Sequence, residues 1–357
     1  MKAIIVYPPK AGVWLKEIDF KEKVGSNGVL VRTLENGMCG TDRGIVNGTL
    51  TFSRPPDGYD FLVLGHETLG IVEEVGDAVN EFKKGDIVVP IVRRGCNSCF
   101  NCIIGRQDYC ETGKFREIGI RGLHGTMREY FTDNEENLVK IPSGLRHVGV
   151  LLEPLSNIMK TFEEIELMQR RMIWNCNDSS YECRNAAILG SGPIGLLFAL
   201  MSASKGFEVF VMNKREPFEA ELKVVEAIGA KFIDTTKDEL GEIDLLIDTT
   251  GYPSAFIPLL KKIKNNGVLV LFGTASGDQY NLSTEDVNHI VESNIAIIGA
   301  VNASKKNFIE GAEYLNSWNS KYPGVLESMI TKKLKPEDSV EYLKNKPKGE
   351  IKTIITW

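Results

Sequence analysis

No run of about 18 consecutive apolar residues, the length a membrane-spanning helix needs, occurs anywhere in the chain, so a membrane partner is not expected. Basic excess is also missing. With 42 Lys and Arg against 48 Asp and Glu the formal net charge is -6, which removes a general attraction for phosphate backbones or anionic lipid. Nucleic acid is therefore not an expected partner either. Internal repeats and low-complexity segments are absent. The opening apolar stretch Met1–Tyr7 turns polar at Pro8 and Pro9, too short for the core of a secretory signal, and a cytoplasmic location is expected. What remains is ordinary: 43% hydrophobic and 25% charged residues over 357 positions, the composition of a globular protein of two domains. Seven cysteines at uneven spacing fit metal binding better than an extracellular disulfide framework.

The first 150 residues read as β-rich, with short apolar runs such as Val29-Leu30-Val31, Gly70-Ile71-Val72 and Asp86-Ile87-Val88-Val89 between Gly, Asn and Asp turns. From Leu155 the pattern changes to a helical one, with Leu155, Ile158, Met159, Phe162 and Ile165 on one face. Between Asn185 and Asn302, strands at 186–189, 208–212, 244–249, 267–272 and 295–300 alternate with helices, which calls for a parallel sheet covered on both faces. A helix over 305–317 and a strand near 351–356 follow, a stretch expected to return to the first domain.

Gly190-Ser191-Gly192-Pro193-Ile194-Gly195 follows a strand and opens a helix. In that setting the glycines allow a tight turn and close approach to a pyrophosphate, and the helix N-terminus supplies N–H donors. An NAD site usually ends the next strand in an acidic residue about 20 residues on. Here Met212 is followed by Asn213-Lys214-Arg215. Asn213 can bond the adenosine ribose, and two cations stand where a 2′-phosphate would lie, so NADP is favoured. Glu216 follows at once and could soften that preference, leaving NAD open as well.

Cys96, Cys99, Cys102 and Cys110 place four thiolates in one loop, the usual pattern of a closed structural zinc site. An iron–sulfur cluster is the chemical alternative; disulfides or free thiols are others. Cys39, in Met38-Cys39-Gly40-Thr41-Asp42, and His66, in Gly65-His66-Glu67, supply two of the three protein ligands of an open catalytic zinc. Glu153 is the candidate third: an acidic residue in an apolar run that begins a helix is costly unless paired or bound. Cys176 and Cys183 fit neither group and read as plain thiols, and His124, His147 and His289 read as core or surface histidines.

Taken together, Cys39-Gly40-Thr41-Asp42, Gly65-His66-Glu67, the four-cysteine loop and Gly190–Gly195 resemble the zinc-containing medium-chain dehydrogenase/reductase superfamily. Glu153-Pro154-Leu155, Asn213–Pro217, Gly299–Asn302 and Gly349–Lys352 are similar to its polyol and sugar branch. The resemblance implies an α/β protein with a GroES-like β-barrel catalytic domain, residues 1–155 and 307–357 with a zinc lobe near 93–113, and a doubly wound Rossmann domain, residues 156–306. It implies a homotetramer or homodimer, two Zn²⁺ per subunit, and oxidation of an aldose, D-glucose and also D-galactose, at C1 to a lactone with hydride passing to NADP or NAD.

By the same resemblance, Cys39, His66 and Glu153 hold the catalytic zinc, with Glu153 also close to substrate. Thr41 accepts a hydrogen bond from the substrate hydroxyl and passes the proton outward, Asp42 orients His66, and Glu67 binds substrate beside the metal. Glu117, Asn157 and Asn302 surround the sugar hydroxyls; Phe272, Gly273, Thr274, Ala300, Val301, Asn302 and Lys346 surround the cofactor. Many zinc alcohol dehydrogenases carry a relay histidine five residues after the first zinc cysteine, whereas this chain has Gly44, leaving the proton's exit beyond Thr41 unassigned. A polyol or alcohol dehydrogenase on the same scaffold, and a non-catalytic zinc- and NADPH-binding redox sensor, are the competing readings.

Overall fold

Runs of alternating burial between glycine turns make the first part of the chain antiparallel sheet. The computed structural model describes residues 1–20, 23–176, 180–275, 277 and 279–357. They divide into two units, Met1–Ser156 with Asn302–Trp357, and Asn157–Val301.

In the first unit the strand Gly28–Gly37 is the organiser. It pairs antiparallel with Glu67–Val75, with Tyr130–Asn134 and with the closing strand Lys352–Thr356. The full path runs Leu138–Ile141, Ile87–Pro90, Glu67–Val75, Gly28–Gly37, Lys352–Thr356, Ile330–Leu334. Val29, Val31, Val72, Phe82, Val88, Phe131 and Leu138 pack as one core on this sheet, and burying each such side chain contributes about 1.5–3 kcal/mol. Register then brings distant residues together: Gly37 faces Glu67 on one side and Ile354 on the other, so the last strand lies two strands from Glu67. That pairing is why the C-terminal stretch belongs to the first unit.

The second unit holds a six-stranded parallel sheet in the order Lys231–Asp234, Glu208–Asn213, Asn185–Leu189, Ile243–Asp248, Ile263–Leu271, Ala296–Gly299. Strand order reverses on either side of Asn185–Leu189, the switch point at which such sheets bind nucleotides. The edge strand Lys231–Asp234 was not among the sequence expectations. It is four residues long with only two apolar side chains, so no apolar run marks it.

Helix Leu152–Gln169 carries the chain from the first unit into the second. After it, Trp174, Tyr181 and Phe207 pack ring against ring, and within this aromatic turn Cys176 and Cys183 are joined by a disulfide. This corrects the reading of the two as plain thiols. Cys176 N–H donates to Ser180 O at 2.8 Å, and the two sulfurs meet at a closeness that sequence spacing does not reveal. Among the described residues no helix is long and apolar enough to cross a membrane.

The disulfide makes a countable prediction. Thiol titration of the denatured, metal-stripped and unreduced chain should find the five free cysteines, rising to seven after reduction. Seven before reduction would show that the bond does not form.

Candidate active site

Cys39 is the N-cap of the helix Gly40–Val46, and the third residue of that helix, Asp42, turns its carboxylate back onto it. Asp42 is completely buried. Its Oδ2 accepts Cys39 N–H at 2.9 Å, while Oδ1 lies 3.3 Å from His66 Nδ1. One carboxylate therefore fixes both the backbone of Cys39 and the ring of His66, and leaves His66 Nε2 as the nitrogen free to bind a metal. Burial disfavours a charged imidazole, but Asp42 and Cys39 outweigh it and hold His66 well above its ordinary pKa. The same neighbouring Asp42 and Cys39 that favour positive charge on the ring would favour a cation bound beside it.

Ligand atoms of Cys39, His66 and Glu67 lie within 4.8 Å of one another. A thiol, an imidazole and a carboxylate are the donor types zinc takes, so the chemistry of this group suits zinc. Glu67 is already engaged: Lys352 Nζ donates to its Oε1 at 2.8 Å and Oε2 at 2.6 Å, with both side chains buried. Burial opposes charge on Lys352, yet Glu67, Cys39 and Glu153 together raise its pKa. Glu153 is buried in the first turn of Leu152–Gln169 and stands outside the Cys39–His66–Glu67 group, within electrostatic range of Lys352. Thr41 is half-buried in the residue after Gly40.

Two neighbours shape this centre. Gly37 has no room for a side chain, since a Cβ there would lie 2.1 Å from Glu67 Oε2. Glu350, two residues before Lys352, holds Arg43 of the Cys39 helix at 2.7 and 3.0 Å. The Gly349–Lys352 segment thus grips the centre through alternate residues, a role for Lys352 that sequence reasoning did not assign. A lysine entering an otherwise apolar closing strand was the available signal.

Cys96, Cys99, Cys102 and Cys110 form the second group, their sulfurs also within 4.8 Å. None of them is oxidised, in contrast to Cys176 and Cys183. Hydrogen bonds from Ser98 and Thr112 and the N–H of Cys99 bring Cys96 down to about 5, whereas burial and the neighbouring sulfurs push Cys102 up to about 12. Four thiolates at this range repel one another without a cation, and a tetrahedral zinc resolves that.

In the second unit the sequence Gly190–Gly195 forms the turn after Asn185–Leu189, with Gly192 capping the helix Pro193–Ser204. Gly190 has φ +107, and a Cβ on Gly195 would lie 1.9 Å from Gly190 O, whereas one on Gly192 would meet nothing. The turn needs glycine at its two ends, and the space over Gly192 and Pro193 is open where a pyrophosphate would bind. Beside it a cavity of about 570 Å³ is lined by Gly190, Met212, Asn213, Lys214, Thr250 and Tyr252, among others, an apolar slot with polar rim groups suited to an adenosine. Ser191 is buried and takes Asn213 Nδ2 at 2.7 Å.

Lys214 is exposed on the cavity wall, but Arg215 is held by Glu221 at 2.6 and 2.8 Å, and Glu216 pairs with Lys237. Ala300 N–H donates to Leu271 O, Phe272 and Gly273 N–H both donate to Asp248 O, Thr274 is exposed, and Lys160 Nζ holds Val301 O at 2.8 Å.

Remaining residues are distributed less evenly. Glu117 is buried and fully occupied, accepting from Arg93 at 2.9 and 3.1 Å and from Asn302 Nδ2 at 2.8 Å, with Arg121 2.7 Å away. Asn302 has φ +63, the left-handed region that asparagine tolerates, so Glu117 fixes an otherwise costly backbone. Asn157 is half-buried in its helix, its carbonyl taking Thr161 Oγ1, and Lys346 lies in an exposed loop of the first unit.

A zinc-ligand group on GroES-like strands and a doubly wound nucleotide sheet in one chain define the zinc-containing medium-chain dehydrogenases. Residues 25–143 match the alcohol dehydrogenase GroES-like domain, and residues 146–357 match the glucose dehydrogenase C-terminus. The chain belongs to the glucose dehydrogenase family. It is 54% identical to the glucose 1-dehydrogenase of Metallosphaera sedula, with 100% of this chain and 99% of the relative aligned, and 41% identical to that of Thermoplasma acidophilum over 100% and 99%. Among solved structures it is similar to Haloferax mediterranei glucose dehydrogenase in complex with NADP, Zn and gluconolactone, at TM-score 0.87 and 29% identity over 100% and 99% of the two chains.

The geometry around Asp42 and Gly37 predicts two outcomes. Asp42→Asn should weaken zinc retention about 10–100-fold in competition with a chromophoric chelator, and unchanged affinity would remove its positioning role. Gly37→Ala should destabilise the fold by about 3–5 kcal/mol by driving Glu67 off Lys352 and leaving a buried charge unpaired, as read by denaturant unfolding.

Proposed function

We propose that this chain oxidises an aldose, D-glucose and also D-galactose, at C1 to the lactone, using NADP in preference to NAD. The observation that carries the proposal is the half-buried Cys39 and the buried His66 set beside a single buried carboxylate, in a chain that also has the dinucleotide turn. A redox sensor or binding protein has no use for such a pair. The aldose class is supported by relatives named glucose 1-dehydrogenase and by the gluconolactone in the Haloferax mediterranei complex.

In this reading Cys39, His66 and Glu153 hold the catalytic zinc. Glu153 is preferred as the third ligand because both oxygens of Glu67 already accept from Lys352. When bound, the zinc supplies Lewis acidity toward the C1 hydroxyl and the nicotinamide ring accepts the hydride. Thr41, next but one to Cys39, accepts a hydrogen bond from that hydroxyl and would relay the proton, releasing its own outward as it receives the substrate's. Asp42 keeps His66 and Cys39 oriented through turnover, and Lys352 holds Glu67 in place at the centre as a sugar-binding group. Glu117, Asn157 and Asn302 are assigned to the sugar hydroxyls, Glu117 acting through the Asn302 amide it holds. The nicotinamide end of the cofactor falls to Phe272, Gly273, Thr274, Ala300, Val301, Asn302 and Lys346, and the pyrophosphate to Ser191, Pro193 and Ile194 with the three glycines. The four-cysteine lobe holds a second, structural zinc, and the assembly is a homotetramer or homodimer acting in the cytoplasm.

Assaying NADP and NAD reduction with D-glucose, D-galactose, sorbitol and ethanol tests the proposal. Activity should be confined to the aldoses, with two zinc ions per chain by metal analysis. Equal activity on ethanol or sorbitol would move the chain to the polyol or alcohol reading. Full turnover of a zinc-replete Cys39→Ala/His66→Ala double variant would overturn the mechanism.

A further inference from the structure

Two cations follow the second strand of the nucleotide sheet, but they are not equivalent. Lys214 is exposed on the wall of the adenosine cavity. Arg215 is committed elsewhere: its Nη1 and Nη2 meet Glu221 Oε2 and Oε1 at 2.8 and 2.6 Å, end-on, its guanidinium stacks 3.9 Å from the centre of the Phe218 ring, and Nη1 also reaches Glu216 O at 2.8 Å. Glu221 is buried, with its side chain 3% exposed, and uses both oxygens twice. Beyond Arg215 it accepts Ser191 Oγ at 2.8 Å and Phe218 N–H at 2.8 Å. Ser191 is the second residue of the dinucleotide turn, and its Oγ in turn accepts Asn213 Nδ2.

Burial pushes the Glu221 carboxyl up, but Arg215, Phe218 N–H and Ser191 together bring it below the usual carboxylate range, so it is an anion at neutral pH. Glu216, the acidic residue adjacent in sequence, is exposed and paired with Lys237. The carboxylate that acts on Arg215 is therefore six residues away in sequence.

We propose that Glu221 is a specificity-determining residue that sets the ratio of NADP to NAD use, by competing with the 2′-phosphate for Arg215. A phosphate that recruits the Arg215 fork must withdraw it from a buried carboxylate, and an unpaired buried charge is costly. NADP then gains only the difference between two charge-assisted pairs. NAD asks nothing of Arg215, and binding it leaves the Glu221–Ser191–Asn213 chain intact. Lys214, for which no such partner stands among the described residues, carries most of the discrimination.

This rests on the reading of the chain as an NADP-preferring dehydrogenase, and the test separates the two. In Glu221→Gln one carboxylate oxygen becomes an NH₂ and the charge is lost, while the remaining oxygen can still accept from Ser191. The ratio of kcat/KM for NADP to that for NAD should rise about tenfold, the effect of one charge-assisted hydrogen bond, through KM for NADP with kcat unchanged. In an Arg215→Gln background the same substitution should leave the ratio where it was. An unchanged or lowered ratio, or an equal change without Arg215, overturns the proposal. If Glu221→Gln does not fold, Glu221→Asp, too short to span both nitrogens, should move the ratio in the same direction by less; a fall overturns the proposal equally. Lys214→Gln is the control for the underlying reading: it should raise KM for NADP far more than for NAD. Equal changes there would overturn the cofactor reading and this inference with it.

Discussion

A carboxylate removed from water must find partners, and the candidate active site of this protein is organised by that requirement at Asp42. Its Oδ2 accepts Cys39 N–H and its Oδ1 lies 3.3 Å from Nδ1 of the His66 ring, a charge contact rather than a formed hydrogen bond, with the two groups brought from a helix start and from the loop before a strand. Leaving either unmatched would cost more than most single contacts contribute. The same need that stabilises Asp42 therefore fixes the spacing and the facing of two candidate metal ligands. Preorganisation of ligands is here a by-product of satisfying a buried anion.

The next layer repeats this logic with opposite charges. Glu67 and Lys352 are both buried, and each is acceptable only because of the other. Their meeting depends on register: Glu67 and Ile354 flank Gly37 from the strands on its two sides, so the end of the chain lies one strand beyond the start of the strand that follows His66 and Lys352 reaches across Gly37. Gly37 is the one residue type that leaves space for the Glu67 carboxylate. Glu350 extends the arrangement by holding Arg43 on the Cys39 helix. The closing strand is thus part of the centre as much as of the sheet.

In the nucleotide unit charge is again managed by burial. Lys214 and Arg215 are adjacent in sequence, yet one lines the cavity and the other is matched to Glu221 behind the glycine turn. Adjacent cations read as a pair from the sequence differ in what they can offer a phosphate. The disulfide between Cys176 and Cys183 makes a similar point for cysteine, since four thiols of the same chain stay reduced around a metal-sized space while two others bond in an aromatic turn.

Features carried by local pattern were legible in the sequence. The strand–turn–helix of Gly190–Gly195, the alternation that makes a parallel sheet, the four-cysteine loop and the Cys39 and His66 motifs are each set by short-range sterics, hydrophobic period or ligand spacing, and the family followed from their combination. What only tertiary structure decided involves residues far apart in sequence whose charges meet in the interior: Asp42 with His66, Glu67 with Lys352, Glu117 with Asn302, Arg215 with a glutamate other than its neighbour. Local sequence constrains backbone shape, but it says nothing of which buried charge will face which. That is determined by strand register and by the cost of leaving any of them alone.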